Sequence, residues 1–96
     1  MTDEKKQILY NWLNLKYDTY EKSENEYYLY FYYKGNKHAD ILIDKEDGVI
    51  SYDTEFYNEF YEIIPLKYFE FEEVINKWVE DTFGLKGFTS RVSVAW

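Results

Sequence analysis

Residues 26–34 read Glu26-Tyr27-Tyr28-Leu29-Tyr30-Phe31-Tyr32-Tyr33-Lys34. Every side chain between the charged ends is aromatic or apolar, a composition that fits a pleated, half-buried surface. The stretch therefore reads as the first strand of a sheet. Gly35-Asn36-Lys37 follows as a turn signal. His38 to Asp44 (HADILID) alternates and reads as the second strand. Asp47-Gly48 marks a hairpin turn, and Val49 to Tyr52 or Asp53 reads as the third strand. Three strands joined by short turns make an antiparallel meander.

The register follows from the apolar pattern. The second strand has Ala39, Ile41 and Ile43 on one face and Asp40, Leu42 and Asp44 on the other. A loop of three or five residues sets Leu29, Phe31 and Tyr33 beside Ala39, Ile41 and Ile43. A loop of two or four sets Leu29 and Phe31 beside Asp40. A one-residue slip turns every side chain to the other face, so the core selects the odd loop. The Asp-Gly turn then puts Ile50 and Tyr52 on the core face with Ile43. Tyr28, Tyr30, Tyr32, Asp40, Leu42, Asp44 and Ser51 share the opposite face.

Helices flank this sheet. Asp3 to Tyr17 carries Ile8, Leu9, Trp12 and Leu13 at helical spacing, with Thr2 or Asp3 as cap. Asp18 to Asn25 is polar and reads as a loop. Asp53-Thr54 caps a short segment from Glu55 to Ile64, with Phe56, Phe60, Ile63 and Ile64 at helical spacing; an alternating strand is the other reading. Pro65 ends it. Leu66 to Phe83 reads as a helix that buries Phe71, Val74, Ile75, Trp78 and Val79, and Gly84 suits its C-terminal cap. Arg91 to Trp96 alternates and reads as a last strand, with Val92, Val94 and Trp96 on one side. The expected fold is α+β: one domain over 1–96, order α-β-β-β-α-α-β, with helices on one face of a mainly antiparallel sheet.

Composition limits the function. The chain has 96 residues, no cysteine, and a net charge of −8 from 19 acids and 11 bases. Thiolate metal sites and disulfides are excluded. No apolar run approaches a membrane span, and the start is not a secretory signal, so a cytoplasmic location is expected. A chain this acidic repels nucleic acid and anionic membranes and is drawn to basic surfaces.

Catalytic patterns are missing. The sole histidine, His38, flanks a turn, and no serine lies in a nucleophile elbow. Asp44-Lys45-Glu46-Asp47-Gly48 does not match a calcium-binding loop. The four glycines are isolated, so no phosphate loop exists. No catalytic residue, metal or cofactor is assigned, and the chain reads as a non-enzyme. A carboxylate-pair hydrolase is the weakest alternative.

Two features point to binding. Residues 53–83 hold nine acids and two lysines, which is seven of the eight net negative charges. Glu55, Glu59 and Glu62 share one helix face without an intervening lysine, an arrangement that costs a few tenths of a kcal/mol per like pair. Glu73 and Glu80 extend the acidic set along the next helix. The second feature is the Tyr28, Tyr30 and Tyr32 row beside Asp40 and Asp44. Tyrosine offers large contact area at low entropy cost. The row is exposed if all helices lie on the other face; otherwise a helix or a second protomer covers it.

In size, charge and tyrosine content the chain resembles phage-encoded anti-CRISPR and anti-restriction proteins, some of which act as nucleic-acid mimics, and bacterial immunity proteins that neutralise nuclease toxins. The resemblance is to that profile alone and carries no residue over. It implies an inhibitor that occupies a basic, nucleic-acid-binding surface of a target protein. The expected contact residues are Tyr28, Tyr30, Tyr32, Asp40, Asp44, Glu55, Glu59, Glu62, Glu73 and Glu80. A structural subunit that self-associates through the tyrosine face is the alternative, so monomer and homodimer both stay open.

Overall fold

The computed structural model describes residues 2–33 and 37–93. Three helices and five strands follow in the order α1 (Thr2–Thr19), β1 (Tyr20–Glu24), β2 (Tyr28–Tyr33), β3 (Ile41–Asp44), β4 (Val49–Asp53), α2 (Thr54–Ile63), α3 (Tyr68–Phe83) and β5 (Thr89–Ser93). The fold is α+β, with one sheet in the order β1-β2-β3-β4-β5. The first four strands form an antiparallel meander, and β5 joins β4 in parallel, so the sheet is mixed. No described helix is long and apolar enough to cross a membrane.

The meander has the register that the core requires. Leu29 pairs with Ile43 and Phe31 with Ile41, while Ile43 pairs with Ile50 and Ile41 with Tyr52. All six are buried. Gly35 and Asn36 of the expected turn, and Val94 and Trp96 of the expected last strand, lie outside the described residues.

Three elements differ from expectation. The segment 18–25 is not a loop: α1 runs on to Thr19 and Tyr20–Glu24 forms the edge strand β1 against β2. Its signal was weak because Tyr20 alone is buried, and Lys22 and Glu24 occupy the next positions of the same face. Charges pointing inward on an edge strand oppose pairing with another chain. Lys22 also closes the end of α1, donating to the carbonyls of Tyr17 at 2.7 Å and Tyr20 at 3.0 Å.

The second difference is the β3–β4 turn, which spans residues 45–48 and not the Asp-Gly pair alone. The Asp44 carboxylate accepts from the N–H groups of Glu46 and Asp47, at 3.1 and 3.0 Å, and Gly48 takes φ +71°. A short acceptor at the start and glycine at the left-handed position make this longer turn favourable. The third lies in strand starts: β5 begins at Thr89 and not Arg91, and the strand expected from His38 begins at Ile41.

The helices form as their caps dictate. Asp53 accepts from the Glu55 N–H at 2.9 Å and starts α2, which excludes the strand reading of this segment. The Lys67 N–H donates to Glu70 at 3.3 Å at the start of α3, and Gly84 ends that helix at φ +71°. Leu9 and Leu13 of α1, Phe56 and Phe60 of α2, and Phe71, Ile75, Trp78 and Val79 of α3 pack with the six buried strand residues in one core. All three helices thus cover the same face of the sheet. Ile8 and Ile63, expected in the buried stripes, are 43% and 56% exposed.

The Tyr52 hydroxyl is buried, and burial and the neighbouring Glu72 carboxyl drive its pKa upward, so it stays protonated. It lies against the Glu72 carboxyl, whose pKa burial raises and the Tyr52 hydroxyl lowers. Tyr52→Phe is expected to cost about 1 kcal/mol in urea unfolding, the net value of a hydrogen bond to a carboxyl group. A gain in stability would show that the hydroxyl is unpaired.

Candidate protein-binding surface

With every helix on one face, β2 presents Tyr28, Tyr30 and Tyr32 on the other. The rings form a ladder. The Tyr28 and Tyr30 centroids are 5.9 Å apart, and those of Tyr30 and Tyr32 are 6.1 Å apart with planes inclined by 22°. Among the described residues, these rings make ring contacts only with one another. They are half-buried by their own packing, and no described helix lies over them. Across the strands Tyr28 faces Asp44, Tyr30 lies between Ser23 and Leu42, and Tyr32 faces Glu21. The Asp44 carboxylate is the largest influence raising the Tyr28 phenol pKa, with burial, Tyr30, Asp47 and Glu46 adding to it. The phenol is therefore neutral at physiological pH, and the negative charge of this face belongs to the carboxylates.

Asp40 does not join the ladder, contrary to expectation. Its N–H donates to the Phe31 carbonyl at 2.8 Å, although Ile41 is the register partner of Phe31. Two residues opposite one are the signature of a β-bulge, which re-aims a side chain. Asp40 consequently lines a hollow of about 310 Å³ with Lys16, Tyr33, Glu55, Phe56 and Glu59. A smaller adjoining hollow of about 170 Å³ is lined by Lys37, His38, Asp40, Asp53 and Glu55.

This end of the molecule gathers Asp40, Asp53, Glu55 and Glu59 around one paired cation. Lys16 bonds Glu59 and lies 5.0 Å from the Tyr33 ring and 5.4 Å from the Trp12 ring. The expected uninterrupted stripe on α2 is thus partly neutralised from α1. Among the described residues, Glu55 and Glu62 are exposed and have no salt-bridge partner. Lys16 was missed because its partner is distant in sequence; its only local signal is the i, i+4 spacing from Trp12.

The α3 acids are separate. Glu73 pairs with Lys6 at 2.6 Å, near the opposite end of α1 from Lys16. Ten residues of helix put these two lysines about 15 Å apart along the axis. Glu80 is exposed, and its carbonyl accepts from Gly84 at 2.9 Å. The ten candidate residues therefore form separate groups: the ladder with Asp44, the acidic end with Asp40, Glu55 and Glu59, Glu62 about 10 Å further along α2, and the α3 acids Glu73 and Glu80. Asp40 bonds the Phe31 carbonyl, but Tyr33, and no ladder ring, lines its hollow.

Burial holds the Asp40 carboxyl above the ordinary carboxylate range; Asp53 and Glu59 add to the rise, while a backbone hydrogen bond from Tyr33 and Lys16 oppose it. A carboxyl whose pKa is raised on folding stabilises most below its ordinary value of 3.8, and that contribution is lost as pH rises through the folded value. Above that point the half-buried charge opposes folding. Asp40→Asn is expected to raise the melting temperature at pH 7.5 and to have much less effect near pH 3.5. A variant equally stabilised at both values would point to packing and not charge.

Among the described residues, no three His, Asp or Glu side chains are grouped to hold a metal ion. No family model, curated protein or solved structure matches this chain.

Proposed function

We propose that the chain is a small acidic inhibitor that binds a protein and occupies a basic surface of it, of the kind used to contact nucleic acid. The single observation that carries this reading is the uncovered sheet face, where three neighbouring tyrosines are bordered by carboxylates. Rigid aromatic area supplies contact energy, and surrounding charge supplies encounter rate and selectivity. The acidic end adds the exposed Glu55, and α2 adds Glu62 further along, both on the helical side of the sheet. An anti-defence or toxin-immunity role fits this design, acting in the cytoplasm on a nucleic-acid-binding target.

A second reading is self-association through the tyrosine face. It is favoured by Arg91, which shares the row Ser23, Tyr30, Leu42, Ser51, Arg91 across the sheet. Three strand spacings place it about 14 Å from Tyr30, so a face-to-face pair could set each Arg91 over the partner's ladder. The test of the inhibitor reading is affinity capture from lysate at about 50 and 300 mM salt, paired with solution mass. Salt-sensitive capture by a monomer supports it. Salt-insensitive capture, or a constitutive dimer that buries the ladder, counts against it.

A further inference from the structure

We propose that the tyrosine ladder is a stacking platform for arginine, so that the partner's basic surface is read through guanidinium groups in preference to ammonium groups. The inference rests on the protein-binding reading above and names the chemistry of its contact.

The argument begins with what β2 can offer a cation. The strand lies between β1 and β3, so its main-chain carbonyls serve the sheet on both sides. The outer face is left with three half-exposed tyrosine rings and, at the ends of the row, carboxylates. Asp44 stands opposite Tyr28, with Glu46 and Asp47 in the turn that follows, and Glu21 stands opposite Tyr32. Among the described outer-face residues Arg91 is the one cation, and it lies at the far edge on β5.

An ammonium group is compact and strongly hydrated, and needs acceptors for its protons when it leaves water. Lys22 shows what that takes. It lies 4.0 Å from the Tyr17 ring and is held there by two main-chain carbonyls. Lys16, over the Trp12 and Tyr33 rings, is held instead by the Glu59 carboxylate beside it. The ladder has no such carbonyls to give, and its middle ring, Tyr30, lies between Ser23 and Leu42 with no carboxylate opposite it. A guanidinium is planar and weakly hydrated, stacks on an aromatic face, and directs its N–H edge sideways to a carboxylate. Half-exposed tyrosine rings with acids at both ends fit that requirement. Nucleic-acid bases also stack on tyrosine, but the same carboxylates repel the phosphates.

The test uses labelled nona-arginine and nona-lysine peptides, equal in charge, titrated into the protein at about 50 mM salt. The arginine peptide is expected to bind at least about fivefold more tightly. Tyr30→Leu is expected to abolish the preference, and Tyr30→Phe, which keeps the ring face, to retain it. Equal affinity of the wild-type protein for both peptides overturns the arginine platform but leaves the electrostatic reading standing. Failure of both peptides to bind overturns both. A wild-type dimer that Tyr30→Leu converts to monomer assigns the face to a second copy of the chain, and also overturns the proposal. The wild-type comparison needs no variant to fold.

Discussion

Trp78→Ala is expected to cost about 3–5 kcal/mol of unfolding free energy, the range for removing a large aromatic side chain from a packed core. A domain of this size has roughly 5–15 kcal/mol in total, so the variant is expected to unfold at much lower urea. Trp78 is fully buried on α3 and touches Tyr17, Phe31 and Phe83, at centroid distances of 5.7, 6.3 and 5.6 Å. It therefore joins α1, the sheet and the end of α3 at one point. Its indole N–H donates to the Asn14 side chain at 2.9 Å, so truncation also leaves an acceptor without its donor. Trp78→Phe keeps most of the volume and loses the donor, and is expected to cost less than half as much. A loss below about 1.5 kcal/mol for alanine would mean that the neighbouring aromatics collapse into the gap.

The second large effect is on binding. The double variant Glu55→Lys, Glu62→Lys is expected to weaken binding of nona-arginine, or of the captured partner, by at least about tenfold at low salt. Most of that loss should fall on the association rate, because exposed charges act mainly through steering. The difference should shrink as salt shortens the range of the field. Glu59 is left unchanged because Lys16 bonds it, so reversing it would disturb the α1–α2 contact as well. Glu73→Lys with Glu80→Lys is the comparison: it changes the charge by the same amount on α3, where Glu73 is paired with Lys6 toward the other end of α1. An equal loss from that pair would show that total charge matters and not its placement.

The structure and the sequence agree where pattern and packing coincide. Leu29, Phe31, Ile41, Ile43, Ile50 and Tyr52 alternate with polar or outward residues, and only one register buries them all. Asp53 and Gly84 mark helix boundaries through local hydrogen bonding and backbone geometry, which need no tertiary information. Tyr20–Glu24 escaped notice because an edge strand is held by main-chain pairing on one side and needs little apolar area. The face of Asp40 is not legible in the sequence because the bulge depends on its N–H reaching the Phe31 carbonyl, whose register partner is Ile41, and no residue type announces that. Ile8 and Ile63 obey helical spacing, yet they are 43% and 56% exposed, because spacing alone does not say how far round a helix its neighbours reach. Phe69, 65% exposed near the start of α3, shows the same limit: apolar character alone does not specify burial.

The parallel placement of β5 has a consequence for the order of assembly. Strands β1 to β4 pair with neighbours in the chain, so each hairpin closes a short loop. β5 can reach β4 only after α2 and α3 have crossed the sheet, and Ser90 donates to Asn76 on α3. Closing that longer segment carries a larger entropy cost and draws on contacts distant in sequence. The last strand thus works as a latch, closing on the β4 edge once the two helices have carried the chain back across the sheet.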